Sequence, residues 1–374
     1  MSVPRVISSD SHVVEPPNVW VERMDHSKFG DRIPHLVRGD PYDFWYADAK
    51  KTSPVGAITQ AGLRFDRPQD IVQEGSFANV RPGGYIPKEH VKDLDLDGVY
   101  GSVVYPSTGL SLYEDLQDQE LTQAIFAAYN DWLADFCKPY PKRLKGSAMI
   151  LIDDDVEQAV NELRRISTIG LSSAMIPSYP RPDLTYDHPM YEPFWATAEE
   201  INITINLHVT TNRPTSSPMV KGGQTALTSS FVQHDHWVRM SLCHIIFSGV
   251  LERYPGIRLA NVEHELGWLP FFMNRMDVAY SDRPQAMPYH FKNNALPSDF
   301  MRVNVYHSFQ EDDLGIQLRH IIGVGNLMWG SDYPHAESTF PKSREILERI
   351  LEGVPQEEIT MIVGENAARV YGFY

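Results

Sequence analysis

The segment Ser9-Asp10-Ser11-His12 sets a carboxylate and an imidazole two residues apart. On an extended strand such a pair points to one face. Three more segments end in ionisable residues: Asn206-Leu207-His208, Glu263-His264-Glu265 and Gly330-Ser331-Asp332-Tyr333-Pro334-His335. Each closes an apolar, β-branched run. Any one of these residues alone is ordinary, since a strand-end His is commonly a satisfied core group and an Asp before a Pro turn commonly a turn former. Together, at the same ends of several strands, Asp10, His12, His208, His264 and Asp332 bring two carboxylates and three imidazoles to one place. Such donors suit zinc, manganese or iron, and the lack of thiolates argues against a structural zinc. Glu263 adjoins His264, so strand alternation is expected to turn it away from that face.

These residues need strands to carry them. Short apolar runs recur at 5–10, 98–106, 144–152, 170–178, 203–210, 257–264, 302–309 and 326–334. Helical periodicity lies between them, at 117–138, 154–166, 188–202, 234–255 and 338–353, with acids in the first turns of the first two. Eight strands alternating with helices predict an α/β fold, a closed (β/α)8 TIM barrel with its active site at the carboxyl ends of the strands. The rival, a doubly wound open sheet, lacks a glycine-rich phosphate fingerprint after the first strand. One barrel domain over 1–374 is expected, with a long insertion after the first strand (15–90) forming a cap beside the mouth, possibly with a small hairpin. A second mouth loop is expected at 213–229.

Composition excludes other classes. Of the 374 residues, 42% are hydrophobic and 22% charged, as in ordinary globular proteins and unlike disordered ones. Lys plus Arg number 33 and Asp plus Glu 49, a net charge of −16, which makes nucleic acid and membrane surfaces poor partners. No window approaches the roughly 18 apolar residues of a membrane span, and the first residues lack a secretory pattern, so a cytoplasmic protein is expected. Cys137 and Cys243 cannot form a thiolate zinc site and read as small packed hydrophobes.

The motifs resemble the amidohydrolase superfamily, in the branch related to aminocarboxymuconate semialdehyde decarboxylase. The resemblance rests on SDSHVVEP after the first strand, LHV on the fifth, WGSDYPH on the eighth and the closing GENAARVYG. It implies one divalent metal ion per chain, Zn2+ or Mn2+, held by Asp10, His12, His208 and Asp332. Strand four, GLSSAMIPS, lacks the bridging Lys of binuclear members, so a mononuclear site is implied. The resemblance also implies a homo-oligomer, a dimer or larger. Members with an acidic first ligand, as Asp10 is here, resemble decarboxylases of hydroxybenzoates.

Asp332 and His264 are then the expected catalytic pair. In non-oxidative decarboxylation of a small aromatic or enol acid, one of them protonates the carbon bearing the carboxylate. In the alternative, hydrolysis of an amide, ester, lactone or C–C bond, Asp332 takes a proton from water and His264 steadies the oxyanion. The substrate is a small molecule, expected to be a carboxylate. Arg213, His335, His307 and Trp329 are the substrate-binding candidates, with Trp20, Phe44, Trp45, Tyr46 and Trp268 as further aromatic walls. Glu15 is a candidate to orient His12, and His234, His236 and His244 read as structural.

Overall fold

The computed structural model describes residues 5–56, 59–72, 74–153, 155–214 and 232–374. Eight parallel strands form one sheet in chain order: β1 (Ile7–His12), β5 (Gly101–Tyr105), β6 (Leu144–Met149), β7 (Ser173–Ile176), β8 (Thr204–His208), β9 (Arg258–Val262), β10 (Val305–Phe309) and β11 (Leu327–Trp329). Seven of the eight fall within the apolar runs of the sequence, and β1 extends two residues past the first run, to His12. The sheet closes just beyond β11, where Tyr333 forms a parallel bridge with Ser11 and the Asp10 carbonyl accepts the N–H groups of Ser331 (3.1 Å) and Asp332 (2.9 Å). The fold is a (β/α)8 barrel.

Helices follow the expected periodicity. In Val156–Thr168, Val156, Ala159, Leu163 and Ile166 are buried at three- and four-residue steps, and Asp155 caps the first turn by accepting from Gln158 N at 3.0 Å. Caps of this kind are worth about 1 kcal/mol. The final helix, Asn366–Tyr371, brings Tyr371 to the strands, where its hydroxyl donates to Asn206 Oδ1 at 2.9 Å and lies 3.2 Å from that of Tyr105. Asn206 in turn donates to Ser147 Oγ at 2.8 Å. These bonds cross between strands and satisfy polar groups that burial would otherwise leave costly.

The connection from β1 to β5 holds a three-stranded antiparallel sheet rather than a hairpin: β2 (His35–Val37), β3 (Phe44–Ala47) and β4 (Lys50–Pro54). Trp20 and Trp45 meet edge to face at 5.3 Å, and Trp20 Nε1 donates to Ile125 O on the Gln119–Cys137 helix at 3.0 Å, tying the insertion to the barrel. Of the second expected mouth loop, 215–229 lies outside the described residues. Cys137 is buried, and burial pushes its thiol up to about 12; Cys243 is half-buried. No helix among the described residues is long and apolar enough to cross a membrane.

Candidate metal centre and active site

His12 ends β1 and is fully buried. Its Nδ1 donates to Pro106 O at 2.7 Å, which leaves Nε2 bare and turned toward Asp10 Oδ1 (3.4 Å) and Asp332 Oδ1 (3.2 Å). His208 ends β8 in the same manner: Nδ1 faces Val209 O at 3.0 Å, and Nε2 lies 3.4 Å from Asp10 Oδ1. Asp10 Oδ1, His12 Nε2 and His208 Nε2 are buried without a hydrogen-bond partner, and Asp332 Oδ1 is buried with His12 Nε2 and His335 Nδ1 as its charge partners. Donor atoms buried in this way are expensive unless something joins them. Ligands about 2.1 Å from a tetrahedral metal stand about 3.4 Å from one another, and these spacings match. The second ring nitrogen of each His is engaged, as metal-bound imidazoles require. The donor set fits a divalent metal ion.

The electrostatics agree. Burial alone would raise Asp10, but hydrogen bonds and charge from His12 and His208 hold its carboxyl well below the usual range. Burial likewise opposes a charge on His12, yet Asp10 and Asp332 raise its imidazole well above the ordinary value. For Asp332 burial is again overcome, here by the charge of His335 and hydrogen bonds from His12 and His335, and its carboxyl is lowered.

His335 joins this centre. Its Nδ1 lies 2.8 Å from Asp332 Oδ1, its Nε2 bonds Ser107 Oγ at 2.9 Å, and its ring stacks on His12 at 3.9 Å. His264 is buried with Nδ1 unpartnered, its carbonyl accepts from Trp268 Nε1 at 2.7 Å, and burial keeps its imidazole neutral, helped by the neighbouring charges of His208 and His234. It stands outside the bare-donor cluster. His307 is buried, within electrostatic range of His264, with Nδ1 at 3.1 Å from Asn261 Nδ2; burial drives its proton affinity down to about 3.

Several expectations require correction. Arg213 is no free clamp: it is buried, pairs with Asp153 Oδ2 at 2.6 Å, and donates to the Tyr113 and Leu116 carbonyls. Trp329 lies fully inside the hydrophobic core, as do Trp20 and Trp45, and offers a substrate no surface. Glu15 does not touch His12; its carboxylate accepts from Thr108 N (3.0 Å) and Gly109 N (2.9 Å), fixing the segment just after Pro106.

Glu263 is the residue that strand reasoning missed. Strand β9 ends at Val262, and Glu263 takes φ +62°, in the left-handed region. That turn cancels the alternation and swings the side chain inward, so that Oε2 lies 3.5 Å from His208 Nε2. Glu263 thereby joins Asp10, His12 and His208 in one group of convergent donors, while Asp332 and His335 group with His12. Nothing in the residue pattern marks this, because period-two alternation holds only while the chain stays extended.

A family model described as amidohydrolase matches residues 99–373. The chain belongs to the amidohydrolase family. It is an enzyme of that superfamily, and its relatives lie in the decarboxylase-containing branch. It is 26% identical over 232 residues to a γ-resorcylate decarboxylase of Rhodococcus jostii, covering 59% of this chain and 69% of the relative. It is 23% identical to that of a Rhizobium species, covering 67% and 77%. An amidohydrolase from Mycobacterium avium subsp. paratuberculosis superposes with a TM-score of 0.81 at 20% identity over 100% of this chain and 99% of the other. A Polaromonas dihydroxybenzoic acid decarboxylase with bound manganese superposes at 0.65 and 15% identity, covering 99% and 97%. At such identities the structural likeness establishes the fold.

Proposed function

We propose that this enzyme is a mononuclear metal-dependent decarboxylase of a small aromatic or enol carboxylic acid, using one Mn2+ or Zn2+ per chain. The observation that carries this reading is the convergence of the buried donor atoms of Asp10, His12 and His208, with Asp332 joined to them through His12 Nε2 at 3.2 Å. It occurs in a chain whose relatives are decarboxylases of a dihydroxybenzoate type. A bound dication supplies a Lewis acid for the substrate carboxylate and its neighbouring hydroxyl oxygen.

The chain's own groups handle the proton. Asp332 is ionised at rest, and His335 Nδ1, 2.8 Å from its Oδ1, holds the proton that it can take up. In the reaction it passes that proton to the ring carbon bearing the carboxylate. The bond to the carboxyl carbon then breaks, its electron pair restores the aromatic ring, and carbon dioxide leaves. His264, neutral and with a bare Nδ1, orients the substrate from the neighbouring strand end. His307, within electrostatic range of His264 and held neutral by burial, is a second neutral candidate.

One observation favours a second reading. Glu263 adds a third acidic group, raised well above the usual carboxylate range by burial and the charges of Asp332 and Asp10; ionised beside a metal it would repel an anionic substrate and leave a neutral amide, ester or lactone undisturbed. In that hydrolytic reading Asp332 is the base that takes the proton of water. Asp332→Asn separates the role from the fold: the variant should melt as wild type does and release no product. Near-normal turnover would remove Asp332 from the mechanism.

A further inference from the structure

The position of Glu263 has a consequence for how the site opens. Asp10, His12 and His208 are buried to within 4% of complete, while the Glu263 side chain keeps 28% of its surface exposed. Its Oε2 nevertheless reaches 3.5 Å from His208 Nε2, and its donor atom lies within 4.8 Å of those of Asp10, His12 and His208. It is therefore the donor of that group that faces both the cluster and the mouth. The Asp10 backbone is fixed by the barrel closure and by Ser8 Oγ, and the two imidazoles are held by carbonyls. The Glu263 carboxylate stands beyond the end of β9 on a left-handed residue and accepts no hydrogen bond among the described residues.

We propose that Glu263 is a metal ligand of the resting enzyme, and the one that an incoming substrate oxygen displaces. Charge gives the reason for displacement. With all three carboxylates of Asp10, Asp332 and Glu263 ionised around a dication, the resting site is left at minus one. A second carboxylate on that centre is unfavourable until one of the three lets go. The most exposed ligand is the one that does. Glu263 thus sets a preference among substrates, since only a ligand able to replace a carboxylate on the metal gains the site: an ortho-hydroxy acid offers two oxygens for the one it removes.

This rests on the metal-site reading, and the test separates the two. Manganese affinity is measured by chelator competition on wild type, Glu263→Gln and His264→Ala, and benzoate affinity on the manganese-loaded wild type and Glu263→Gln. Expected are a metal affinity at least ~10-fold weaker in Glu263→Gln, unchanged affinity in His264→Ala, and tighter benzoate binding once the competing carboxylate is gone. Should Glu263→Gln fail to fold, Glu263→Gly gives the same readings, because φ +62° suits glycine. Wild-type metal affinity in the Glu263 variants, or benzoate binding no tighter than in wild type, overturns the inference alone. A wild type that takes up no metal overturns the reading beneath it.

Discussion

The backbone N–H of Asp332 donates to the carbonyl of Asp10 at 2.9 Å, so the bond that closes the barrel also sets the spacing of two candidate ligands. Asp332 reaches that place with φ +58°, off the extended path of β11. Backbone strain of this kind costs about 1–3 kcal/mol and persists where the surroundings enforce it. Here the enforcement includes His335 Nδ1 on one side and the Asp10 carbonyl on the other.

Gly330 is the position that tests this closure. A Cβ added there would stand 2.5 Å from the Asp10 Cβ and 3.0 Å from Ser308 Oγ. Gly330→Ala should therefore push Asp10 out of register, cutting metal affinity at least ~10-fold, the scale seen when ligand supports are lost. Elemental analysis after dialysis checks it. Full metal retention would show that the closure tolerates the shift.

A clamp from the insertion is tested at Asp93. Arg81 makes paired bonds to Asp93 (2.6 and 2.5 Å), and Tyr333, the residue after Asp332, donates to Asp93 Oδ2 at 2.5 Å. Asp93→Asn should weaken both bonds and lower kcat several-fold, with KM less affected, because it loosens the segment carrying Asp332. A change confined to KM would place the clamp in substrate binding instead.

Metal binding should depend on pH in a defined sense. His12 in the cation-free site is raised well above the ordinary imidazole value by Asp10 and Asp332, against the pull of burial. It therefore carries a proton at neutral pH, and a metal must expel it. Affinity should rise with pH, by about tenfold per unit, until His12 loses its proton unaided. Calorimetry in buffers of different ionisation enthalpy should count about one proton released. A flat profile between pH 6 and 8 would contradict His12 as a ligand.

Arg213 should behave as a structural residue. Arg213→Ala leaves Asp153 buried without its cation, a change that costs about 3–5 kcal/mol. Thermal melting should show a large loss of stability. A stable variant with raised KM would restore Arg213 to the substrate site.

The barrel was legible because its strand runs are short and apolar, and the candidate site because the first, fifth, sixth and eighth of them end in ionisable residues. Position at a strand end brought out Asp10, His12, His208, His264 and Asp332 together, and the family resemblance set the four expected ligands apart from His264. Glu263 was not legible, because a single left-handed residue after Val262 reverses its direction and leaves no mark in the pattern. Arg213 misled for a different reason: its partner Asp153 follows β6, two strands earlier, and no local signal links them. Trp329 misled because an aromatic at a strand end faces core or mouth according to packing that residue types do not encode.

The most direct test of metal-dependent decarboxylation is carbon dioxide release from 2,6-dihydroxybenzoate and related ortho-hydroxy acids, measured on manganese-loaded enzyme before and after chelation. The account predicts release that disappears with the metal, returns on its readdition, and is absent in Asp332→Asn. Release that survives chelation, or no release from any such acid while amides or lactones are hydrolysed, would contradict it.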